Sequence, residues 1–249
     1  MYSLKLALGF LTAWPQKTSA PQPGDLGRSA GWFPAVGLFI GAVLAAAHWG
    51  LGQLFPPLLT GALVVALWAA LTGGLHLDGL ADCGDGLLAA VPVERRLEIM
   101  RDPCLGSFGG LSLVLYLLLK VVAVSALPAA SWAAAFALCF SPMLARWLLL
   151  LVARQPSARP GGMGAAFALG LKPAIIVLAA LLPLALMVLG GWATLAAAAL
   201  ALLVTLGVIA VARARLGGVT GDVFGLSVEL AELAVLLVFA AHWPLAPGL

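Results

Sequence analysis

The chain has 249 residues, of which 63% are hydrophobic and only 9% are charged, and its mean hydropathy is +1.11. This composition excludes an ordinary soluble domain, and several spanning helices would leave no room for a separate one. The formal net charge of +3 comes with no basic groove containing interleaved aromatic residues, so we expect no nucleic-acid partner. We therefore predict one all-α, polytopic integral membrane bundle over residues 1–249.

Seven apolar segments are long enough, or nearly so, to span a bilayer, which takes about 20 residues. They are 33–55, 57–75, 108–127, 131–153, 173–190, 192–212 and 228–243. Ahead of them, within 1–31, we predict an interfacial helix over 2–14 and a polar linker over 15–31. A cleaved signal peptide is the alternative, but the apolar run has no basic region before it and no convincing cleavage site after it.

The basic residues are unevenly distributed between the connectors. With the N-terminus placed inside, eleven of the thirteen basic residues lie in inside segments. The outside connectors, near Pro56, Pro128 and Gly190, carry no charged residue. This asymmetry follows the positive-inside rule. It predicts a cytoplasmic N-terminus and active-site loops over 76–107 and 213–227 at the cytoplasmic face.

Three aspartates, which we call the first polar patch, follow the second predicted span at helical spacing. Asp78, Asp82 and Asp85 stand at i, i+4 and i+7, which places their carboxylates on one face of a helix. Like charges stacked in this way repel one another. A bound Mg²⁺ would remove the conflict, since it takes one or two carboxylates together with substrate phosphates. A solvated acidic face is the alternative, and the spacing alone also fits prenyl-diphosphate enzymes and CDP-alcohol phosphotransferases.

A second acidic row lies between Pro92 and Pro103. Glu94, Glu98 and Asp102 stand at i, i+4 and i+8 on a helix that the two prolines would delimit. The arginines between these acids would form ordinary salt bridges with them in the simplest reading. The glycine-rich helix start that follows offers backbone N–H groups to a phosphate, although this signal is weak on its own.

Two basic residues, Lys120 and Arg146, fall inside predicted spans. Charged side chains at such positions usually face the bundle interior or a polar cavity, so both are candidates to bind an anionic phosphate. Snorkelling to the interface is the alternative. It fits Lys120 poorly, because this residue lies in the middle of its predicted span.

A third polar patch begins at a glycine-rich turn near the end of the chain. Thr220 and Asp222 would supply oxygen ligands opposite the first patch, and Glu229 and Glu232 stand at i, i+3 at the start of the last predicted span. A capping role is the alternative for Glu229, since the helix macrodipole stabilises acids at a helix N-terminus. We predict that the first and third patches are two halves of one cytoplasmic cavity.

Three stretches carry a specific resemblance: Gly-Gly-Leu-His-Leu-Asp-Gly-Leu-Ala-Asp (73–82), Leu-Glu-Ile-Met-Arg-Asp (97–102), and Thr-Gly-Asp (220–222) followed by Glu-Leu-Ala-Glu-Leu (229–233). They resemble the cobalamin synthase family, the adenosylcobinamide-GDP ribazoletransferases. The resemblance implies that the adenosylcobinamide-phosphoryl group passes from adenosylcobinamide-GDP to α-ribazole or α-ribazole 5′-phosphate, with release of GMP. It also implies a requirement for Mg²⁺ and a location in the prokaryotic cytoplasmic (inner) membrane.

That reaction suggests roles for the polar residues. We expect the Mg²⁺–diphosphate group to be held by Asp78, Asp82 and Asp85. The candidate proton acceptors are His76, Glu98, Asp102 and Asp222. The candidate ligands of substrate and phosphate are Arg101, Lys120, Arg146, Thr220, Glu229 and Glu232. A structural hydrogen-bonding role is an equal alternative for His76.

The chain departs from the family pattern at two places. Members often have an arginine before the proline near position 13, where this chain has Ala13, and Ser-Arg where this chain has Pro103-Cys104. This chain therefore lacks those arginines and any phosphate contact that they make in other members.

Other classes of protein are alternatives to this reading. A CDP-alcohol phosphotransferase would need Asp-Gly-x-x-Ala-Arg, and Asp82-Cys83 occupies the last two places of that core. A prenyltransferase would need a second Asp-x-x-x-Asp. An ion-coupled transporter would have acids in mid-span and internal pseudo-repeats. A homo-oligomer is a possible assembly in each case.

Overall fold

The structure is a computed structural model that describes residues 2–15 and 21–241. Within these ranges the chain is helical and forms no β-strand, apart from one isolated bridge. The helices are α1 (Tyr2–Leu11), α2 (Asp25–Ser29), α3 (Phe33–Leu51), α4 (Pro57–Thr72), α5 (Leu75–Leu88), α6 (Val93–Ile99), α7 (Ser107–Ser125), α8 (Trp132–Val152), α9 (Met163–Ala168), α10 (Pro173–Leu216) and α11 (Gly221–Ala240). The predicted all-α class is confirmed.

The number of membrane spans agrees roughly with the predicted seven. In the described ranges, 5 helices are long and apolar enough to cross a membrane, and the bent pair α4–α5 raises the number to 6. Helix α10 has 44 residues, and Gly191 interrupts it with non-helical angles, φ 67° and ψ −157°. The predicted spans 173–190 and 192–212 meet at this residue.

The helices around the last loop are longer than predicted. Helix α11 begins at Gly221, seven residues before the predicted span 228–243, whose end lies partly outside the described residues. Helix α10 continues to Leu216. The loop predicted over 213–227 is therefore reduced to 217–220.

The N-terminal segment forms the predicted helix, α1. Its Phe10 contacts the rings of Phe33 and Phe167, at centroid distances of 5.7 and 5.5 Å. The predicted linker over 15–31 is corrected in part, because helix α2 and a 3-10 turn form within it. Another part of it, 16–20, lies outside the described residues.

Two glycines turn the chain sharply between α4 and α5. Gly73 and Gly74 both adopt left-handed backbone conformations, with φ of 64° and 70°, which residues with a side chain disfavour. Helix α5 consequently leaves α4 at 93° and packs across the first turns of α7 and α11. The aspartate spacing predicts this helix but not the turn that orients it.

Helices α8 and α11 form the centre of the bundle, and most of their residues are buried. Helices α7 and α10 are peripheral and expose many leucine and valine side chains. This is the arrangement of a multi-pass membrane protein whose outer helices face an apolar environment. The starts of α7 and α11, crossed by α5, lie together at one end of the bundle.

Candidate active site

The crossing of α5 and α11 brings residues of the first and third polar patches together. A Cβ added at Gly79 would lie 2.7 Å from the carbonyl oxygen of Asp222, and one added at Gly225 would lie 2.9 Å from that of His76. Glycine at both positions therefore allows direct backbone contact between the two helices. Asp82, about one turn beyond Gly79 on α5, is thereby placed in the same region as Asp222.

Negative charge dominates this crossing. Asp82 is partly buried, and the charges of Asp222, Asp78 and Asp85 all act on it. In the described part of the chain, the opposing cation is Arg159, whose Nη1 lies 3.5 Å from Asp222 Oδ2. Carboxylates thus outnumber cations here, and an additional cation would relieve their repulsion.

Arg159 is absent from the predicted site residues. It lies in the connector between α8 and α9. In the sequence it is one of several basic residues on the predicted inside face, and nothing distinguishes it from the others. Its position depends on contacts with residues some sixty positions away in both directions along the chain: Nη2 donates to the carbonyl oxygen of Leu97, and Nη1 faces Asp222. No local spacing signal would have identified it.

Asp85 caps the first turn of α7. Its two carboxylate oxygens accept the N–H groups of Gly106 and Gly109, both at 2.8 Å. Such a cap satisfies donors that have no partner within the helix, and the macrodipole adds to it. Two of the N–H groups predicted to receive a phosphate at this helix start are therefore occupied by a carboxylate of the chain. A metal-binding role for Asp85 stays a prediction.

Thr220 is the N-cap residue of α11. Its Oγ1 accepts the N–H of Val223 at 3.4 Å and donates to Asp222 Oδ2 at 3.1 Å. This cap explains why α11 begins inside a glycine-rich stretch that resembles a loop. The structure therefore gives Thr220 a role in orienting Asp222, while its contact with substrate stays a prediction.

Two arginines bind the C-terminal end of α5. Arg96 Nη1 donates to the carbonyl oxygens of Gly86 and Leu87, both at 3.0 Å. Arg215 Nη1 donates to the carbonyl oxygen of Leu87 at 2.7 Å. Cations at a helix C-terminus satisfy its last carbonyls and complement its dipole. The salt bridge predicted for Arg96 is replaced by this cap.

The second acidic row does not form the predicted continuous helical face. Helix α6 ends at Ile99, so Asp102 lies beyond it in a turn, where its Oδ1 accepts the N–H of Cys104 at 2.9 Å. This hydrogen bond holds the pKa of the exposed Asp102 carboxyl below its usual range. Asp102 is thus engaged in local turn structure.

The remaining predicted residues of this segment lie at the surface. Glu98 forms an exposed salt bridge with Arg95 at 2.8 Å, as the simple reading predicts. Arg101 is also exposed. In the described chain, the strongest charges that act on Asp82 come from residues other than Glu98 and Arg101.

A second group of charges lies inside the bundle, where it joins α7, α8 and α11. Lys120 Nζ donates to Glu229 Oε2 at 2.8 Å and to Glu232 Oε2 at 2.6 Å. Arg146 pairs with the other oxygen of Glu232, and the Tyr116 hydroxyl donates to Glu229. All five side chains are buried, so we call them the buried ion network.

The buried ion network corrects the predicted position of two glutamates. Because α11 begins at Gly221, Glu229 and Glu232 lie about 12 and 17 Å along the helix from its start. The capping alternative for Glu229 is therefore wrong. The expectation that Lys120 and Arg146 face the interior is confirmed, but their partners are the two glutamates. A phosphate could bind either cation only if those pairs were broken.

His76 lies between the crossing and the buried ion network. It is buried, and the charges of Arg146, Glu232 and Lys120 act on it. Its Nε2 has no hydrogen-bond partner among the described residues. The alternative role of His76 is a structural hydrogen bond, and Nε2 does not form one.

The oxygen donors at the crossing suit a metal ion that substrate helps to bind. Within the described residues, no group of three or more His, Cys, Asp or Glu side chains is arranged to hold a metal. Magnesium usually takes only one or two carboxylates, with phosphates and water completing its shell. Asp78, Asp82 and Asp222 offer such oxygens, and a Mg²⁺ site at the crossing stays a prediction.

The fold and the site define a class: a multi-pass helical membrane protein with an acidic site where a bent helix crosses one end of the bundle. Residues 3–240 match the family model described as Cobalamin-5-phosphate synthase. The chain belongs to this family, as the resemblance predicts, and is a transferase of cobalamin synthesis.

Curated relatives named adenosylcobinamide-GDP ribazoletransferase align over nearly the whole chain. One from Pseudomonas aeruginosa (strain UCBPP-PA14) is 47% identical, with 96% of this chain and 97% of the relative covered. One from Desulfitobacterium hafniense (strain Y51) is 41% identical, with 95% and 96% covered. One from Roseiflexus sp. (strain RS-1) is 38% identical, with 96% and 89% covered. No solved structure matches the chain.

Proposed function

We propose that the chain transfers the adenosylcobinamide-phosphoryl group of adenosylcobinamide-GDP to α-ribazole or α-ribazole 5′-phosphate. A ribazole hydroxyl attacks the phosphorus attached to cobinamide, the bond to the bridging oxygen breaks, and GMP leaves. The products are adenosylcobalamin, or its 5′-phosphate, and GMP. The observation that carries this proposal is the family match over residues 3–240.

We propose Mg²⁺ as the cofactor, with Asp78 and Asp82 of α5 as its protein ligands and Asp222 of α11 beside them. When bound, the ion neutralises the diphosphate and stabilises the charge that develops on the departing GMP. The chain contributes the carboxylates and their spacing. Close contact at Gly79 and Gly225 sets that spacing, because it leaves the two helices little freedom to shift.

We propose that the hydroxyl proton passes to a group at the α5–α11 crossing. Of the four predicted acceptors, Asp222 and His76 belong to that crossing. Glu98 and Asp102 are instead exposed in and after α6. A proton acceptor must lie within hydrogen-bond reach of the reacting hydroxyl, which favours the first two.

We propose that the chain lies in the lipid bilayer of the prokaryotic cytoplasmic (inner) membrane, with its N-terminus and active site facing the cytoplasm. The segments near the α5–α11 crossing carry basic residues, among them Arg96 of α6, Arg159 and Arg215 at the end of α10. The connectors at the opposite end, near Pro56 and Pro128, carry no charge. The asymmetry is that of the positive-inside rule.

One feature of the structure fits the transporter alternative, because Glu229 and Glu232 lie within a span. Both, however, are paired with Lys120 and Arg146 in a network of balanced charge. Acids that couple transport to an ion must exchange partners during the cycle. The ion pairing and the family membership favour the transferase.

The proposed function is tested by Asp82→Asn in the full-length protein purified in detergent. We expect GMP release from adenosylcobinamide-GDP, with α-ribazole and Mg²⁺ present, to fall roughly 100-fold or more, because the change removes a charge that acts directly on the metal site. The melting temperature should stay close to that of the wild type, since Asp82 is only partly buried.

The matched control is Glu94→Gln, which neutralises an exposed carboxylate on α6 and should leave turnover unchanged. Near-normal GMP release by Asp82→Asn would contradict the metal assignment. Flux of a solute into proteoliposomes, without GMP release by the wild type, would contradict the transferase itself.

A further inference from the structure

Backbone contacts hold Arg159 beside the site, independently of its own ion pair. The connector after α8 runs alongside the residue that precedes the α11 cap. The Ala158 N–H donates to the carbonyl oxygen of Val219 at 2.9 Å, and the Val219 N–H donates to that of Pro156 at 2.8 Å. These backbone bonds place Arg159 opposite Asp222 without any contribution from the contact between the two side chains.

The guanidinium of Arg159 is incompletely satisfied. Its Nη1 lies 3.5 Å from Asp222 Oδ2, whereas a charge-assisted hydrogen bond is about 2.7–2.9 Å long. Its Nη2 donates to the carbonyl oxygen of Leu97 at 3.3 Å, and its Nε is buried with no hydrogen-bond partner in the described ranges. Since a guanidinium carries several N–H donors in a rigid fork, most of this capacity is unused.

The other cations considered for phosphate binding are placed differently. Lys120 and Arg146 are paired with the glutamates of the buried ion network and are closed to solvent. Arg146 Nε and Nη2 also lack a hydrogen-bond partner in the described ranges, but the Arg146 side chain is fully buried, whereas that of Arg159 is 17% exposed. Arg101 is exposed after α6, and its charge is not among the strongest that act on Asp82 in the described chain. Arg159, in contrast, acts on both Asp82 and Asp222.

We propose that Arg159 binds phosphate oxygens of the diphosphate substrate, and that its loose contact with Asp222 is exchanged for this anion when substrate enters. The inference rests on the proposed function and names a residue of the same site. A planar guanidinium suits two phosphate oxygens at once. The exchange frees the Asp222 carboxylate to meet the metal or the hydroxyl proton.

The first test measures binding of GDP in the presence of Mg²⁺, by calorimetry on the full-length protein in detergent. We expect Arg159→Gln to raise the Kd for GDP roughly 10- to 100-fold, because a charged donor to phosphate is lost. Arg159→Lys should fall in between, since it keeps the charge but not the fork. The matched control is Arg154→Gln, an exposed arginine of the same connector, which should leave the Kd unchanged.

Steady-state kinetics separate substrate binding from a purely structural role. Arg159→Gln should raise KM for adenosylcobinamide-GDP and leave KM for α-ribazole unchanged. If Arg159 only braces Asp222, the variant should instead melt at a lower temperature and bind GDP as the wild type does. Wild-type affinity for GDP in Arg159→Gln overturns the proposal, as does a wild-type protein that does not bind GDP.

A chemical measurement covers the case in which Arg159→Gln does not fold. The wild-type protein is treated with phenylglyoxal, which modifies arginine, with and without GDP and Mg²⁺, and Arg159 is followed by mass spectrometry. We expect GDP to protect it, and equal modification in both samples overturns the proposal. A wild-type protein that protects Arg159 but releases no GMP from adenosylcobinamide-GDP would overturn the proposed function and leave this inference standing.

Discussion

Helix α11 carries acids in two settings that differ in their charge balance. Asp222, at its start, belongs to a group in which it and two α5 aspartates, Asp78 and Asp82, face one loosely bound cation, Arg159. Further along, Glu229 and Glu232 lie in the buried ion network with an equal number of cations. The first group is partly exposed, whereas the second is closed to solvent.

The difference separates an acid that holds the fold from one that is available to a ligand. Burying a charge in an apolar medium is very costly unless it is paired, so the network must be complete before substrate arrives. At the helix start, solvent stabilises the unpaired carboxylates, and their excess charge can be neutralised by an incoming cation. Charge balance, rather than the presence of carboxylates, therefore distinguishes the two settings.

The largest effect is expected from breaking the buried ion network. Glu232→Gln would leave Arg146 without its carboxylate in a fully buried position. We expect a loss of about 3–5 kcal/mol in the free energy of unfolding, the usual cost of removing one partner of a buried pair. The measurement is thermal unfolding in detergent, with loss of folded protein on overexpression as a second sign.

The matched control for that variant is Arg95→Gln, which breaks a surface-exposed ion pair. It should leave the melting temperature essentially unchanged, since exposed pairs contribute little. A stable Glu232→Gln protein with reduced affinity for GDP would reverse the comparison. In that case the network, and not the acidic crossing, would be the ligand site.

The sequence predicts the composition of the site better than its three-dimensional arrangement. The i, i+4, i+7 spacing correctly predicts helix α5, and the charges of Lys120 and Arg146 correctly predict interior positions. These features depend on local periodicity and on the cost of charge in an apolar medium. Local periodicity and the cost of a buried charge act in the same way whatever tertiary arrangement the chain adopts.

The features that the sequence does not predict depend on tertiary contacts. The glycine-rich stretch over 217–225 resembles a loop, yet Thr220 caps a helix within it, and this moves Glu229 and Glu232 from a helix start into the bundle. Arg159 reaches the site through a backbone pairing with Val219 that leaves no local pattern. Tertiary packing overrides turn composition in the first case, and long-range pairing positions the side chain in the second.

A smaller loss is expected when the crossing itself is widened. In Gly79→Ala the new Cβ would lie 2.7 Å from the carbonyl oxygen of Asp222, so α5 and α11 must move apart. Overpacking of this kind costs about 1–3 kcal/mol in the free energy of unfolding. GMP release should fall further than this loss of stability explains, because the carboxylates of the two helices are displaced from each other.

The matched control for the crossing is Gly207→Ala in α10, where an added Cβ meets nothing within 4 Å. It should raise stability slightly, as alanine favours a helix more than glycine. Equal turnover in the two variants would mean that the spacing of the crossing does not matter for catalysis.

The smallest effect is expected from Asp85, the predicted metal ligand that caps α7. Asp85→Asn retains one acceptor oxygen but loses the charge and the second acceptor, so we expect a loss of about 1 kcal/mol in the free energy of unfolding. Turnover should fall by about 10-fold, the lower end of the usual effect of a change that weakens the support of a metal ligand without removing the ligand. The Mg²⁺ concentration for half-maximal GMP release should match that of the wild type, whereas Asp82→Asn should raise it.

A rise of the same size in Asp85→Asn would show instead that Asp85 binds the metal. Its hydrogen bonds to Gly106 and Gly109 would then orient a metal ligand rather than start a helix.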